Sequence, residues 1–479
     1  MDEVSGRRLS ARTMSFYGIG EAAGSFKNMA WGVLLLFYYQ QIVGVEAALV
    51  GLAIGITALM DAVTDPLVGA WSDRIRSRWG RRHPMLLFSA LPLGVSFVLL
   101  FNPPANMSDF EGFLWLAFFG VMVRVSYTFY NIPHLSLGAE MSADYQQRST
   151  LFAYSAFIAA MSVSVSYGLI TGYYFPTTQQ YDPGFLNPES YLDMSLTYAA
   201  VMCASIVLCA YGTRREIPFL RTSQVREKLS PAALFKDVRE VFGSRSFRAL
   251  FLGAVTAAVV AGVEGAFMPF MGVHFWGLKT EDLFYLTFVG LVAFPLTFLL
   301  IPAMTRWFDK KWAIVVATAT YILALNLPIC LRLAEVSWYP ANGSPWILPI
   351  FLFYSTIAAL AAPIIGATVN SMMADVADEH ELDTGIRREG VLYSARAFSA
   401  KAVGALGITV GGFVLSAIDF PERAVRGEVP AEVIWNLGFF AGPGTSIFSL
   451  LAVGFYLGYQ ISRERHQVIM TELAARQAS

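Results

Sequence analysis

Charge is scarce in this chain. Only 14% of its 479 residues are Asp, Glu, Lys or Arg, against about 25% in an ordinary soluble domain. A soluble surface of this size could not be covered with so little charge, so a soluble multidomain enzyme is excluded. Cysteine is nearly absent as well. Cys203, Cys209 and Cys330 are odd in number, sit inside apolar blocks and lack CxxC or His partner spacing. They predict neither a disulfide framework nor a zinc site, but small packed hydrophobes. Neither sign of charge is in excess, with 34 Lys+Arg facing 35 Asp+Glu, and nothing points to nucleic acid. Disorder is excluded by 37 Phe and 21 Tyr at a near-zero net charge.

What fills the chain is apolar sequence in long blocks, 56% hydrophobic residues with a mean hydropathy of +0.52. The blocks approach the ~20 residues that a bilayer-spanning helix needs. We read twelve spans, near residues 15–43, 46–73, 84–102, 111–138, 149–173, 192–212, 247–275, 282–304, 312–333, 346–375, 389–419 and 432–461. The first block is too long for a signal h-region and no clear small-residue cleavage site follows, so this span is expected to be retained. The strongly charged stretch 213–246, with Arg214, Arg215 and Lys228 among its basic residues, separates two six-span halves, 1–212 and 247–479. Pro231 after Ser230 predicts a surface helix within it.

Loop charge predicts orientation. Arg7, Arg8, Arg12, Arg74, Arg76, Arg78, Arg81, Arg82, Arg306, Lys310, Lys311, Arg387, Arg388 and Arg463 fall on one side if all twelve spans are crossed. Both termini and the central segment are therefore expected in the cytoplasm, in a multi-pass protein of the cell membrane with a short C-terminal tail. The halves also echo each other. Gly69-Ala-Trp-Ser-Asp73-Arg74…Gly80-Arg81-Arg82 follows span 2, and Thr305-Arg306-Trp307-Phe308-Asp309-Lys310-Lys311 follows span 8, as a duplicated unit would produce. This run resembles the loop signature of the major facilitator superfamily. The resemblance implies an all-α membrane protein with twelve transmembrane helices in two pseudo-symmetric six-helix halves.

The informative residues are ionisable groups inside spans, each of which costs about 2.5–3.5 kcal/mol or more at a helix centre. They are Glu21, Lys27, Asp61, Asp65, Arg124, Glu264, Arg396 and Lys401. Asp61 and Asp65 stand four apart, hence on one helix face, one turn from each other. Two adjacent carboxylates in a low dielectric need a cation between them or a proton on one. A site that changes charge in this way is what coupling to Na+ or H+ requires. The alternative is a structural network in which one aspartate pairs with Lys401 or Arg124. Pro66 is expected to loosen the backbone beside the pair.

Further runs carry a closer resemblance. Tyr17-Gly-Ile-Gly20, Asp61-Ala-Val-Thr-Asp65-Pro66, Arg76-Ser-Arg78-Trp79-Gly80-Arg81, Tyr127-Thr128-Phe-Tyr-Asn131, Asp375-Val-Ala-Asp378 and Lys401-Ala-Val-Gly404 are similar to the glycoside–pentoside–hexuronide cation symporters. The resemblance implies that Asp61 and Asp65 bind the cation with Thr128 and Asn131 nearby, and that Lys401 is the internal counter-charge. The family's sugar-binding groups are replaced here: Ser25 and Asn131 stand for aspartates, Leu135 for a tryptophan and Ala156 for an arginine. The cation half is kept while the sugar half is rewritten. Glu21, Ser25, Lys27, Asn28, Asn131, His134, Glu264 and Lys401 are the candidates for a different polar pocket. His134, at the end of a span, reads as a hydrogen-bonded helix residue or a proton relay. The acidic stretch Asp375 to Asp383 reads as a loop between spans 10 and 11. Its Asp375 and Asp378 are expected to face Arg78, Arg81 and Arg82 as a cytoplasmic gate.

These readings converge on cation-coupled symport of a small, glycoside-like solute into the cytoplasm. The partners expected are the solute and the lipid bilayer, with no nucleic acid, no cofactor beyond the coupling ion and a monomeric state. A carrier of lysolipid or another amphiphile is the alternative within transport, and a non-transporting receptor the alternative outside it. No nucleophile–base motif, metal spacing or phosphate loop points to an enzyme.

Overall fold

The computed structural model of the protein describes residues 8–142, 144–220, 242–385 and 403–478. The surface helix expected after Pro231, and Arg387, Arg388, Arg396 and Lys401, lie outside the described residues. All regular structure among the described residues is helical. Nine of the described helices are long and apolar enough to cross a membrane, among them Ala47–Gly69, His83–Leu100, Asp109–Met141 and Lys310–Leu333. The chain forms two compact units. One comprises residues 1–224, 265–287 and 408–433, the other residues 225–264, 288–407 and 434–479.

In the first unit, side-chain caps start the helices. Ser10 accepts from the Thr13 amide, so the first span begins at Ala11, four residues before its expected edge. Ser108 and Glu111 close a capping box at the head of Asp109–Met141, satisfying donors that an unbroken apolar run leaves open. The first span is not one regular helix. Glu21–Met29 passes into a π-helical stretch, Ala30–Leu34, and a second one, Tyr38–Val43, ends at Gly44 with φ +85°, a conformation that glycine reaches without a Cβ penalty. Pro66 does not interrupt its element: Ala47–Arg74 runs through it as a single helix. Proline removes one hydrogen bond, and a helix whose other bonds are intact carries that loss in an apolar setting. Of the cysteines, Cys209 is buried, Cys203 intermediate and Cys330 exposed; on an apolar bundle an exposed site is compatible with lipid, so only Cys209 is the fully packed residue expected.

Small residues bring backbones together, as in membrane bundles generally. A Cβ at Gly412 would collide with the Ala47 carbonyl and lie 3.0 Å from Gly51 Cα. The helix Gly404–Ala417 therefore meets Ala47–Arg74 backbone to backbone, and the Thr409 hydroxyl donates to the Gly51 carbonyl at 2.8 Å. Gly412→Leu is expected to cost about 1–3 kcal/mol by overpacking and to lower the apparent Tm in detergent; an unchanged melting curve would refute the close crossing. Nearby, Gln40 donates to the Phe420 carbonyl at 3.1 Å, Gln41 donates to the Pro421 carbonyl at 2.9 Å and accepts from the Ala424 amide at 2.7 Å. Arg426 donates to Asp182 and Thr177 to Glu281. Burial raises the Glu281 carboxyl, but hydrogen bonds from Thr177 and from its own backbone, with the Lys279 charge, together hold the group below its ordinary range.

The second unit corrects one expectation. Residues 375–383 are not a loop; they are the last turns of the helix Ile347–Thr384, which stops at Gly385 with φ +72°. Val376, Ala377 and Leu382 from these turns enter an apolar cluster with Phe247, Leu250, Ile469 and Leu473. That burial favours helix over solvated turn. The chain end is likewise more than a tail, because Arg463–Ala478 is a helix and supplies Ile469 and Leu473 to the same cluster.

Candidate functional site

In the first unit, two helices carry complementary groups at matching intervals. Asp61 and Asp65 lie on Ala47–Arg74. Arg124, Thr128 and Asn131 lie on Asp109–Met141, at spacings of four and three that put them on one face. The faces meet. Arg124 donates to Asp61 in a salt bridge whose side chains are 9% and 13% exposed, and the Thr128 hydroxyl donates to Asp65 at 2.9 Å. Asp61 thus meets a cation, and a neutral hydroxyl is among the contacts of Asp65. Tyr127 donates to Asn131 at 3.3 Å.

The first span closes over this pair. The Arg124 guanidinium lies 4.8 Å from the Trp31 ring centroid, and Lys27 Nζ lies 4.4 Å from the Tyr127 centroid and 5.7 Å from that of Trp31. Glu21 accepts from Ser155 at 2.8 Å. His134 stands 3.7 Å from Glu21 through Nδ1. It stands about two turns before the end of the 33-residue helix Asp109–Met141. Its ring stacks on Tyr17 at 4.2 Å and on Tyr130 at 5.1 Å. Its Nε2 lies 3.1 Å from the Tyr17 carbonyl, which can only accept, so that nitrogen carries the proton. Tyr17 OH returns a bond to the His134 carbonyl at 3.2 Å. This is the hydrogen-bonded helix residue rather than an open relay. Ser25 is buried and donates to the Ala159 carbonyl at 3.2 Å, whereas Asn28 is exposed. Glu264 belongs to the second unit, where it accepts from Tyr321 at 2.6 Å.

Several of the expected gating residues find partners inside their own units. Gly80, φ +76°, turns the loop after Ala47–Arg74, and Arg81 and Arg82 both reach Glu140 at the far end of Asp109–Met141, at 3.0 Å and 2.6 Å. Arg78 is exposed beside Trp79. In the second unit Lys310 donates to both Asp375 oxygens at 2.7 Å, Tyr459 donates to Asp375 at 2.9 Å, and His466 lies 3.1 Å from Asp378. Sequence reasoning singled out neither Glu140 nor Lys310, Tyr459 or His466 as site residues, because their partners lie 58 to 88 positions away. Trp31 was legible only as apolar filling of its span, and Tyr127 only as part of the run that carries the family resemblance.

Apolar helices of this length, with carboxylates buried at mid-helix, have the make-up of a membrane-embedded bundle with a polar path inside it. Residues 16–463 match the family described as MFS/sugar transport protein, and the chain belongs to that family; it is a transporter and not an enzyme. The chain is 25% identical to YagG of Escherichia coli (strain K12), a candidate glycoside/cation symporter by name, over 98% of this chain and 96% of that one. It is 25% identical to the glucuronide carrier protein homolog of the same strain over 98% and 96%. It is 24% identical to the isoprimeverose transporter of Lactiplantibacillus pentosus over 84% and 79%. Among solved structures, a bacterial homolog of the human lysosomal transporter Spinster aligns with a TM-score of 0.63 at 16% identity, covering 96% of this chain and 97% of that one. The nucleoside transporter NupG aligns with a TM-score of 0.60 at 10% identity, covering 93% and 99%. These two show the fold alone.

Proposed function

We propose that the protein is a cation-coupled symporter that carries a glycoside-like solute into the cytoplasm, with Asp61 and Asp65 as its coupling carboxylates. The observation that carries this reading is their arrangement. Both sit at mid-helix in an apolar bundle, and they face a guanidinium and a hydroxyl, so one positive charge more or less changes the balance of the site. The names of the relatives, a glycoside/cation symporter and two sugar carriers among them, support the same class. Asp65 with Thr128 would take Na+ or H+, and Asn131, one turn on, would face cation and solute together. Glu21, Lys27 and Asn28 of the first span, with Glu264 and Lys401, would supply polar contacts to the solute. Ser25 and His134 would hold helices in place behind them.

In this reading twelve spans form two six-helix halves, 1–212 and 247–479, joined by 213–246, with both termini in the cytoplasm, and the halves rock about a midplane site. Arg78, Arg81, Arg82, Asp375 and Asp378 would carry the exchange of ion pairs that opens and closes the cytoplasmic end. The test is uptake by the full chain in proteoliposomes, with a panel of glucuronides, pentosides and lysophospholipids under separate Na+ and H+ gradients. Accumulation of at least one glycoside under one gradient is expected. Uptake of lysophospholipid alone, or uptake indifferent to either gradient, would refute the proposal.

A further inference from the structure

We propose that Arg124 is the resident counter-ion of the coupling site: its guanidinium occupies Asp61 in the cation-free step of the cycle, and an arriving monovalent cation displaces it toward Trp31. This rests on the symport reading above and assigns the counter-charge at Asp61 to a residue of the same helix pair.

Arg124 stands one turn before Thr128 on Asp109–Met141. The helix thus aims a cation at Asp61 and a neutral hydroxyl at Asp65. The bonding of Arg124 is incomplete. Nη1 donates to Asp61 and the guanidinium rests on Trp31, while the Nε–H is buried with no hydrogen-bond partner, as is Trp31 Nε1–H. A guanidinium carries five donors, and a buried donor left unbonded is costly. A permanent structural pair would satisfy them; this one is held by an edge and can be released. Buried ion pairs are also poor sources of stability compared with apolar packing, so stability does not account for this one.

A guanidinium and a monovalent cation compete for the same carboxylate oxygens and repel each other in a low dielectric. The Trp31 face gives the displaced guanidinium a second position through its ring electrons. Gly120, one turn before Arg124, lies beside that ring: a Cβ there would come 3.4 Å from Trp31 Cη2, an ordinary contact, and 2.9 Å from the Thr57 methyl. Two consequences follow. The apparent cation affinity is lowered by the small fraction of time that Arg124 is off Asp61. The cation-free carrier returns without exposing an unpaired carboxylate at Asp61 to the apolar interior.

The test is calorimetric titration of NaCl, against choline chloride at matched ionic strength, into the detergent-purified full chain and its variants. Arg124→Gln is expected to bind Na+ about tenfold tighter than the wild type, the competitor having been removed. Arg124→Lys keeps the charge but not the fork, is expected to fall between the two, and carries the test by itself if the glutamine variant does not fold. Na+ affinity equal to or weaker than wild type in the folded variants, or no Na+ binding in any of the proteins, would overturn the assignment. Uptake in proteoliposomes separates the two readings. Uptake indifferent to Na+ and H+ overturns the symport reading, and Arg124 with it. Cation-driven uptake with unchanged Na+ affinity in the variants overturns Arg124 alone.

Discussion

Asp65→Asn is expected to abolish accumulation of solute against its gradient while leaving the transporter folded and able to equilibrate solute. The asparagine has nearly the shape of the aspartate, and its carbonyl oxygen can still accept from Thr128, which now bonds Asp65 at 2.9 Å. Packing between Ala47–Arg74 and Asp109–Met141 is therefore preserved and the melting temperature should move little. What is lost is the charge. A hydrogen bond or ion contact to a charged group is worth about 1.5–3 kcal/mol, or roughly a hundredfold in cation affinity at the upper end. Asp61 alone does not make up the loss, because a cation there must first displace Arg124. The measurement is net uptake under a cation gradient compared with exchange between two solute-loaded sides. Retained exchange with lost accumulation is the expected pattern, and full accumulation by Asp65→Asn would remove this carboxylate from the coupling mechanism.

The largest effect on stability is expected in the second unit. Asp375 is 4% exposed and gathers Lys310 and Tyr459, with His466 at 3.5 Å. Asp375→Ala would leave the Lys310 ammonium and the Tyr459 hydroxyl without their shared acceptor. Removing one partner of a buried pair costs about 3–5 kcal/mol, and since Lys310 is 29% exposed, water recovers part of this and the lower end applies. The helix Arg463–Ala478 should loosen with it, because His466 bridges to Asp375 and Asp378. The expected results are a lowered apparent Tm and faster hydrogen exchange over 463–478. Protection of that helix unchanged in Asp375→Ala would show that Ile469 and Leu473 alone hold it.

Much of the proposed coupling region was legible from residue spacing. Asp61 and Asp65 were placed on one face by their separation of four, and the family resemblance pointed to Thr128, which the structure sets against Asp65. The partner of Asp61 was not decided in that way, since Arg124 and Lys401 served equally on paper. Spacing along one helix says which face a side chain takes, not which neighbouring helix meets it. The acidic stretch after residue 374 shows the opposite limit. Asp, Glu and His at that density read as a loop, whereas the distant Lys310, Tyr459 and His466 bond its aspartates and let it stand as buried helix. Pro66 shows the same limit, since the loss of one hydrogen bond is a local property and the intact bonds of the surrounding helix carry it.

The scarcity of charge, by itself, determined that this chain is a bundle of apolar helices and that its few mid-span ions are where function is sought, because burying charge in hydrocarbon is costly wherever in the fold it occurs. Only the tertiary structure decided which of those ions meet. Arg124 on Asp61, Thr128 on Asp65 and Lys310 on Asp375 are contacts between helices. Such contacts depend on how ridges and small residues of separate helices pack, which no periodicity within one helix encodes.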